Sequence, residues 1–130
     1  MNEADLKRGL VHAFNDLGDR VFAFRTETNV IGLPDLIANR APCAAWIEVK
    51  FHRTGQTKWK LTALQRLFLG KLDGYLVTYV QEKDRKRVKI DSYSGLAHVR
   101  WYEIQALNNH GWPKIHELVA RHIATARLRY

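Results

Sequence analysis

Asp35 and Glu48 are acidic residues set inside runs that otherwise read as buried strands, and Lys50 follows Glu48 by two positions. The first run is Gly32-Leu33-Pro34-Asp35-Leu36-Ile37-Ala38 and the second is Ala45-Trp46-Ile47-Glu48-Val49-Lys50. Side chains alternate along a strand, so Glu48 and Lys50 share one face while Ile47 and Val49 take the other. With the Asp35 strand paired alongside, two carboxylates and one ammonium converge. Carboxylates held together repel and raise each other's pKa unless a divalent cation sits between them. Oxygen donors of this kind suit Mg²⁺ or Mn²⁺, leaving Lys50 to act on an anionic substrate or on the attacking water.

Positioning such a group requires a scaffold, and the pattern along the chain supplies one. Leu6, Leu10, Phe14 and Leu17 recur at helical spacing from Asn2 onward, with Gly18 as a stop. Glu3, seven residues before Leu10, falls near the inward face of this helix. It reads either as a favourable charge near a helix N-terminus or as a member of the site. Arg20 to Arg25 has strand character and Thr26 to Ile31 forms a polar loop, and Arg25, where that loop approaches the acidic residues, reads either as a phosphate contact or as a solvated strand-end arginine. Leu36-Ile37-Ala38 is expected as a second strand, Asn39-Arg40-Ala41-Pro42 as a turn, and Ala44 to Phe51 as a third, central strand.

The segment Phe51 to Lys60 reads as a basic loop carrying His52, Arg53, Lys58, Lys60 and Trp59. It suits either a backbone clamp on nucleic acid or a solvated loop. Thr62-Ala63-Leu64-Gln65 has the capping-box pattern, and Leu64, Leu67, Phe68 and Leu72 are expected to form the apolar face of a helix closed by Gly74. Gln65 thus has a structural role before any chemical one. Tyr75 to Val80 and Lys86 to Tyr93 read as a hairpin around Glu82-Lys83-Asp84-Arg85, whose basic residues are either a solvated tip or a DNA contact. His98 to Trp101 is expected as a short strand and Tyr102 to Leu107 as a short helix. Pro113 opens a terminal helix with Ile115, Leu118, Val119, His122 and Ile123 inward.

The bounds are consistent with one domain over 1–130. A chain of 130 residues can bury roughly two-thirds of its unfolded surface. Hydrophobic content of 46% excludes general disorder. Lys and Arg number 21 against 13 Asp and Glu, a net charge of +8 with a pI near 9.9, which favours a polyanionic partner, nucleic acid first. Cys43 is the lone cysteine and the N-terminal residues lack a signal-peptide pattern, so an intracellular protein is expected, without a membrane segment. The six histidines do not fall into zinc-ligand spacing with Cys43.

Pro34-Asp35, twelve intervening residues and then Glu48-Val49-Lys50 resemble the active-site signature of the PD-(D/E)xK nuclease superfamily. The surroundings sharpen the resemblance. Gly32-Leu33-Pro34-Asp35-Leu36, Ile47-Glu48-Val49-Lys50 and Leu61-Thr62-Ala63-Leu64-Gln65 look like the VRR-NUC type of small stand-alone nuclease and its viral relatives, and Holliday-junction resolvases share the same frame. The likeness covers about Asn2 to Val80 and leaves 81–130 as an elaboration.

The resemblance implies an α/β fold with a restriction-endonuclease-like core. Its central mixed sheet is flanked by helices in the order α-β-β-β-α-β, followed here by a C-terminal hairpin and helix. It implies Asp35, Glu48 and the backbone carbonyl of Val49 as metal ligands and Lys50 as the catalytic lysine. Glu3 matches an additional acidic ligand, giving two ions instead of one, and Gln65 a further site residue. Mg²⁺ is the expected cofactor, with Mn²⁺ substituting, and DNA the expected substrate, held by Arg25, Arg53, Lys58 and Lys60. Where resolvases carry a serine before the proline–aspartate pair, this chain offers Thr26, Thr28 and Asn29, which weakens an assignment to four-way junctions. A junction-cutting enzyme also calls for a homodimer, whose interface could use the apolar positions of the hairpin and terminal helix. The rival readings are a DNA-binding protein without catalysis and an interaction module of a replication or packaging assembly.

Overall fold

The computed structural model describes residues 2–23, 33–40, 43–53, 61–82, 85–93, 99–105 and 111–127. Helix α1 spans Glu3–Asp16, followed by strands β1 (Arg20–Ala23), β2 (Leu36–Arg40) and β3 (Cys43–Arg53). Helix α2 (Ala63–Lys71) leads to β4 (Tyr75–Glu82), β5 (Arg85–Ser92) and β6 (Val99–Gln105), and α3 (Gly111–Arg127) closes the described chain. The fold is α/β, with a six-stranded sheet ordered β1-β2-β3-β4-β5-β6. All neighbours are antiparallel except β3 and β4. A parallel pair needs a crossover, and α2 lies in it.

Two apolar clusters divide the faces of the sheet. On one, Leu6, Leu10 and Phe14 of α1 and Trp112, Ile115, Val119 and Ile123 of α3 pack over Ile47, Val49, Val77, Tyr79, Val88 and Ile90. On the other, Leu61 and Leu69 meet Leu76 beneath α2. Strand β3 is therefore covered from both sides near Glu48, as its nearly continuous apolar sequence predicts. The α-β-β-β-α-β order holds through Glu82, and among the described residues no helix is long and apolar enough to cross a membrane.

Several local expectations give way to tertiary structure. Asn39 and Arg40 belong to β2, because Arg40 Nε donates to the buried Asp19 carboxylate at 2.7 Å and its guanidinium also reaches the Leu17 carbonyl. His52 and Arg53 continue β3 alongside Val80 and Gln81 of β4. Residues 99–105 form one full strand on β5 where a short strand and helix were expected, since the free edge of β5 offers a complete hydrogen-bonding ladder.

The inward stripe of α2 is also displaced. Leu69 is fully buried and the expected Phe68 and Leu72 are half-buried, while Leu64 and Leu67 are 45% and 49% exposed. Adjacent helical positions point about 100° apart, so the polar Gln65 on the inward side diverts a periodicity reading onto the wrong stripe. At the end of α2 Asp73 adopts φ 49°, and the Gly74 N–H returns to the Leu69 carbonyl. A Cβ at Gly74 would lie 3.1 Å from the Trp46 carbonyl oxygen and 2.8 Å from Leu69 Cδ2, so the glycine answers to close approach. In α3 the buried set includes Trp112 and His116, whereas Leu118 and His122 are half-buried.

Candidate metal and nuclease site

The site opens where β2 leaves β3. Pairing runs from Arg40 opposite Cys43 to Leu36 opposite Ile47 and stops there, one residue short of Asp35. Pro34 has no N–H to extend a ladder. The vacated position is filled by side chains. The Val49 N–H donates to Asp35 Oδ2 at 2.9 Å, and the Asp35 N–H donates to Glu48 Oε2 at 3.2 Å. Each strand thus satisfies the other's exposed backbone through a carboxylate, fixing Asp35 and Glu48 beside one another. A strand residue sends its N–H and C=O to the same side, so the Val49 carbonyl projects toward this notch.

Both carboxylates are buried, Asp35 at 7% exposure and Glu48 at 3%. Glu48 titrates near 7, pushed up first by burial and then by the Asp35 charge, with Lys50 and Lys7 acting in the opposite direction. Lys50 Nζ lies 3.4 Å from Glu48 Oε1, on the same face as strand alternation requires. Gln65 touches both the helix cap and Glu48. Its Oε1 accepts the Thr62 N–H at 2.9 Å in the capping box, while its Nε2 donates to Glu48 Oε1 at 3.1 Å. The cap that starts α2 is the contact that orients Glu48.

Glu3 is placed differently from expectation. Lys7 of α1 brings its Nζ to 3.0 Å from Asp35 Oδ1 and 3.7 Å from Glu3 Oε1. The ammonium therefore joins Glu3 to Asp35. Among the described residues no three His, Cys, Asp or Glu side chains converge as a ligand group. The donors that fit a hard cation are Asp35, Glu48 and the Val49 carbonyl, all oxygen, with water to complete a shell. Burial and repulsion that hold Glu48 near 7 are the conditions under which such a cation is welcome.

Lys7 is the site residue that sequence reading missed. The signal was present, because Lys7 lies four residues after Glu3 and hence on the same helix face. The DNA-binding set fares unevenly. Arg53 sits on β3, an odd number of residues from Lys50, and its guanidinium carbon lies 5.1 Å from the centre of the Phe51 ring. It therefore belongs to the face away from Glu48 and Lys50 and does not line the notch. Arg25, Lys58 and Lys60 lie outside the described residues.

The register instead gathers other cations on the Lys50 face. Lys50 is opposite Thr78, Thr78 opposite Lys89, and Val80 opposite Arg87, and opposed residues share a face. Lys89 and Arg87 remain partly exposed while engaging Asp91 and Glu82. Four cations (Lys50, Arg85, Arg87 and Lys89) share this face with Glu48, Glu82 and Asp91, and Glu103 of β6 joins the register opposite Arg87. No protein-family model matches the chain, and a search of curated proteins finds no significant relative.

Proposed function

We propose that this chain is a Mg²⁺-dependent endodeoxyribonuclease of PD-(D/E)xK type, hydrolysing DNA phosphodiester bonds and suited to structured substrates such as branched DNA. The carrying observation is the notch between β2 and β3, which presses two buried carboxylates together within reach of a lysine. Capping two backbone N–H groups does not by itself call for two adjacent buried charges, since each charge taken from water costs on the order of several kcal/mol before compensation. Asp35, Glu48 and the Val49 carbonyl would hold the ion. When bound, it supplies Lewis acidity that lowers the pKa of water and offsets charge on the pentacovalent phosphorus.

The remaining work falls to the chain itself. Lys50 orients the attacking water beside Glu48, and its ammonium opposes negative charge that grows on the non-bridging oxygens. Gln65 keeps Glu48 Oε1 in place through its amide. The net charge of +8 favours approach of a polyanion.

A second reading, a DNA-binding protein without catalysis, has one observation in its favour. Lys7 already supplies a cation to Asp35 at 3.0 Å. Incubation of linear duplex, single-stranded, flapped and four-way DNA with Mg²⁺ or Mn²⁺, using Lys50→Ala as control, separates the two. Metal-dependent cleavage lost in Lys50→Ala supports the nuclease. Tight binding of DNA with no cleavage in either metal supports the binder.

A further inference from the structure

Asp35 accepts one hydrogen bond that belongs to the fold and one that does not. Val49 N–H holds Oδ2 as part of the strand divergence, but Oδ1 is held by the Lys7 ammonium from a separate element. Docking of α1 does not need this ion pair, because Leu6, Leu10 and Phe14 already bury completely against the sheet. The Lys7 side chain is 24% exposed, and the Glu3 carboxylate within 3.7 Å of it is 42% exposed. The ammonium therefore has a second, wetter anion within reach of the same rotatable stem.

Resting on the metal-site reading above, we propose that Lys7 is an exchangeable counter-ion: it occupies Asp35 Oδ1 in the cation-free protein and yields that oxygen when a divalent cation binds. The electrostatics demand the exchange. An ammonium and a divalent ion on the one oxygen Oδ1 repel at short range in a partly desolvated notch, so a bound cation weakens the hold of Lys7 on that oxygen. On release Lys7 turns toward Glu3, one helical turn earlier, or toward the phosphate that the cation brings in. Glu3 then acts through Lys7, as its resting partner. Lysine suits this role because its charge is compact and its four-carbon stem is flexible.

The account makes Lys7 a competitor for the cation, which a merely structural ion pair is not. Calorimetric titration of Mg²⁺ and Mn²⁺ into the cation-free full chain tests it, with Lys7→Gln, Lys7→Arg and Glu48→Gln measured in parallel. Lys7→Gln is expected to bind the cation about tenfold tighter or more, a gain of about 1.4 kcal/mol. It should also show a larger cation-induced rise in melting temperature. Lys7→Arg, which keeps the charge, should stay near the parent. Equal or weaker cation binding by a folded Lys7→Gln overturns the proposal while leaving the metal site intact. Absence of Glu48-dependent cation binding in both parent and Lys7→Gln removes the metal-site reading itself, and the exchange with it.

Discussion

Glu48 is the residue on which the proposed chemistry and the stability both turn. Its carboxyl holds a proton up to about pH 7 in the cation-free protein, so a cation must displace that proton below pH 7 and competes with it. At Mg²⁺ concentrations well below saturation, cleavage should fall about tenfold for each pH unit under 7, and raising Mg²⁺ should move the midpoint downward. Initial rates across a pH and Mg²⁺ grid check this. A midpoint indifferent to Mg²⁺ would assign the titration elsewhere.

The same proton affects folding. The folded state keeps it to about pH 7 while a glutamate in the unfolded chain releases it near 4.5, so the contribution of Glu48 is present below 4.5 and is lost as pH rises to 7. His116 runs the other way. Burial lowers it to about 4 from the ordinary 6.5 of an imidazole, so its contribution is present above 6.5 and is lost as pH falls toward 4. Between pH 4.5 and 6.5 the two oppose. In EDTA, Glu48→Gln should unmask the histidine, losing about 2–3 kcal/mol of stability from pH 6.5 to 4.5, against a flatter parent profile in denaturant titrations.

At the scale of elements, the α2 helix shows most clearly what sequence patterning reaches and where it stops. The capping box at Thr62 and Gln65 was legible because its residue types and spacing are local. The buried stripe was not, since the inward position nearest the site carries Gln65, whose partner Glu48 is seventeen residues away in sequence. A stripe built on Leu69 predicts that Leu69→Ala costs about 2–5 kcal/mol, whereas Leu64→Gln stays within about 0.5 kcal/mol. Urea unfolding of the two variants decides between this stripe and the one through Leu64 and Leu67. Strand β6 marks a similar boundary. Its residues have no strong alternation of their own, and pairing with the exposed edge of β5 determines their conformation.

Across the whole molecule, the order of elements through β4 and the convergence of Asp35, Glu48 and Lys50 followed from short-range signals. Alternation and a helix cap are both encoded within a few residues. Contacts between distant elements were not legible. Lys7 reaches Asp35 across 28 positions, and the cations of β5 join the Lys50 face only once the register is known. The apolar positions considered for a dimer interface illustrate the same limit. Val88, Ile90, Ile115, Val119 and Ile123 are buried in the core of the single chain, so they are taken up by intramolecular packing.

The central claim, that Asp35 and Glu48 form the metal-dependent cutting centre, is tested most directly by nicking of supercoiled plasmid by the parent and Glu48→Ala, each with Mg²⁺ and with EDTA. The parent should nick only with Mg²⁺. Glu48→Ala should be slower by about three orders of magnitude or more, corresponding to roughly 4 kcal/mol of lost transition-state stabilisation. A Glu48→Ala protein that nicks as fast as the parent would contradict the account.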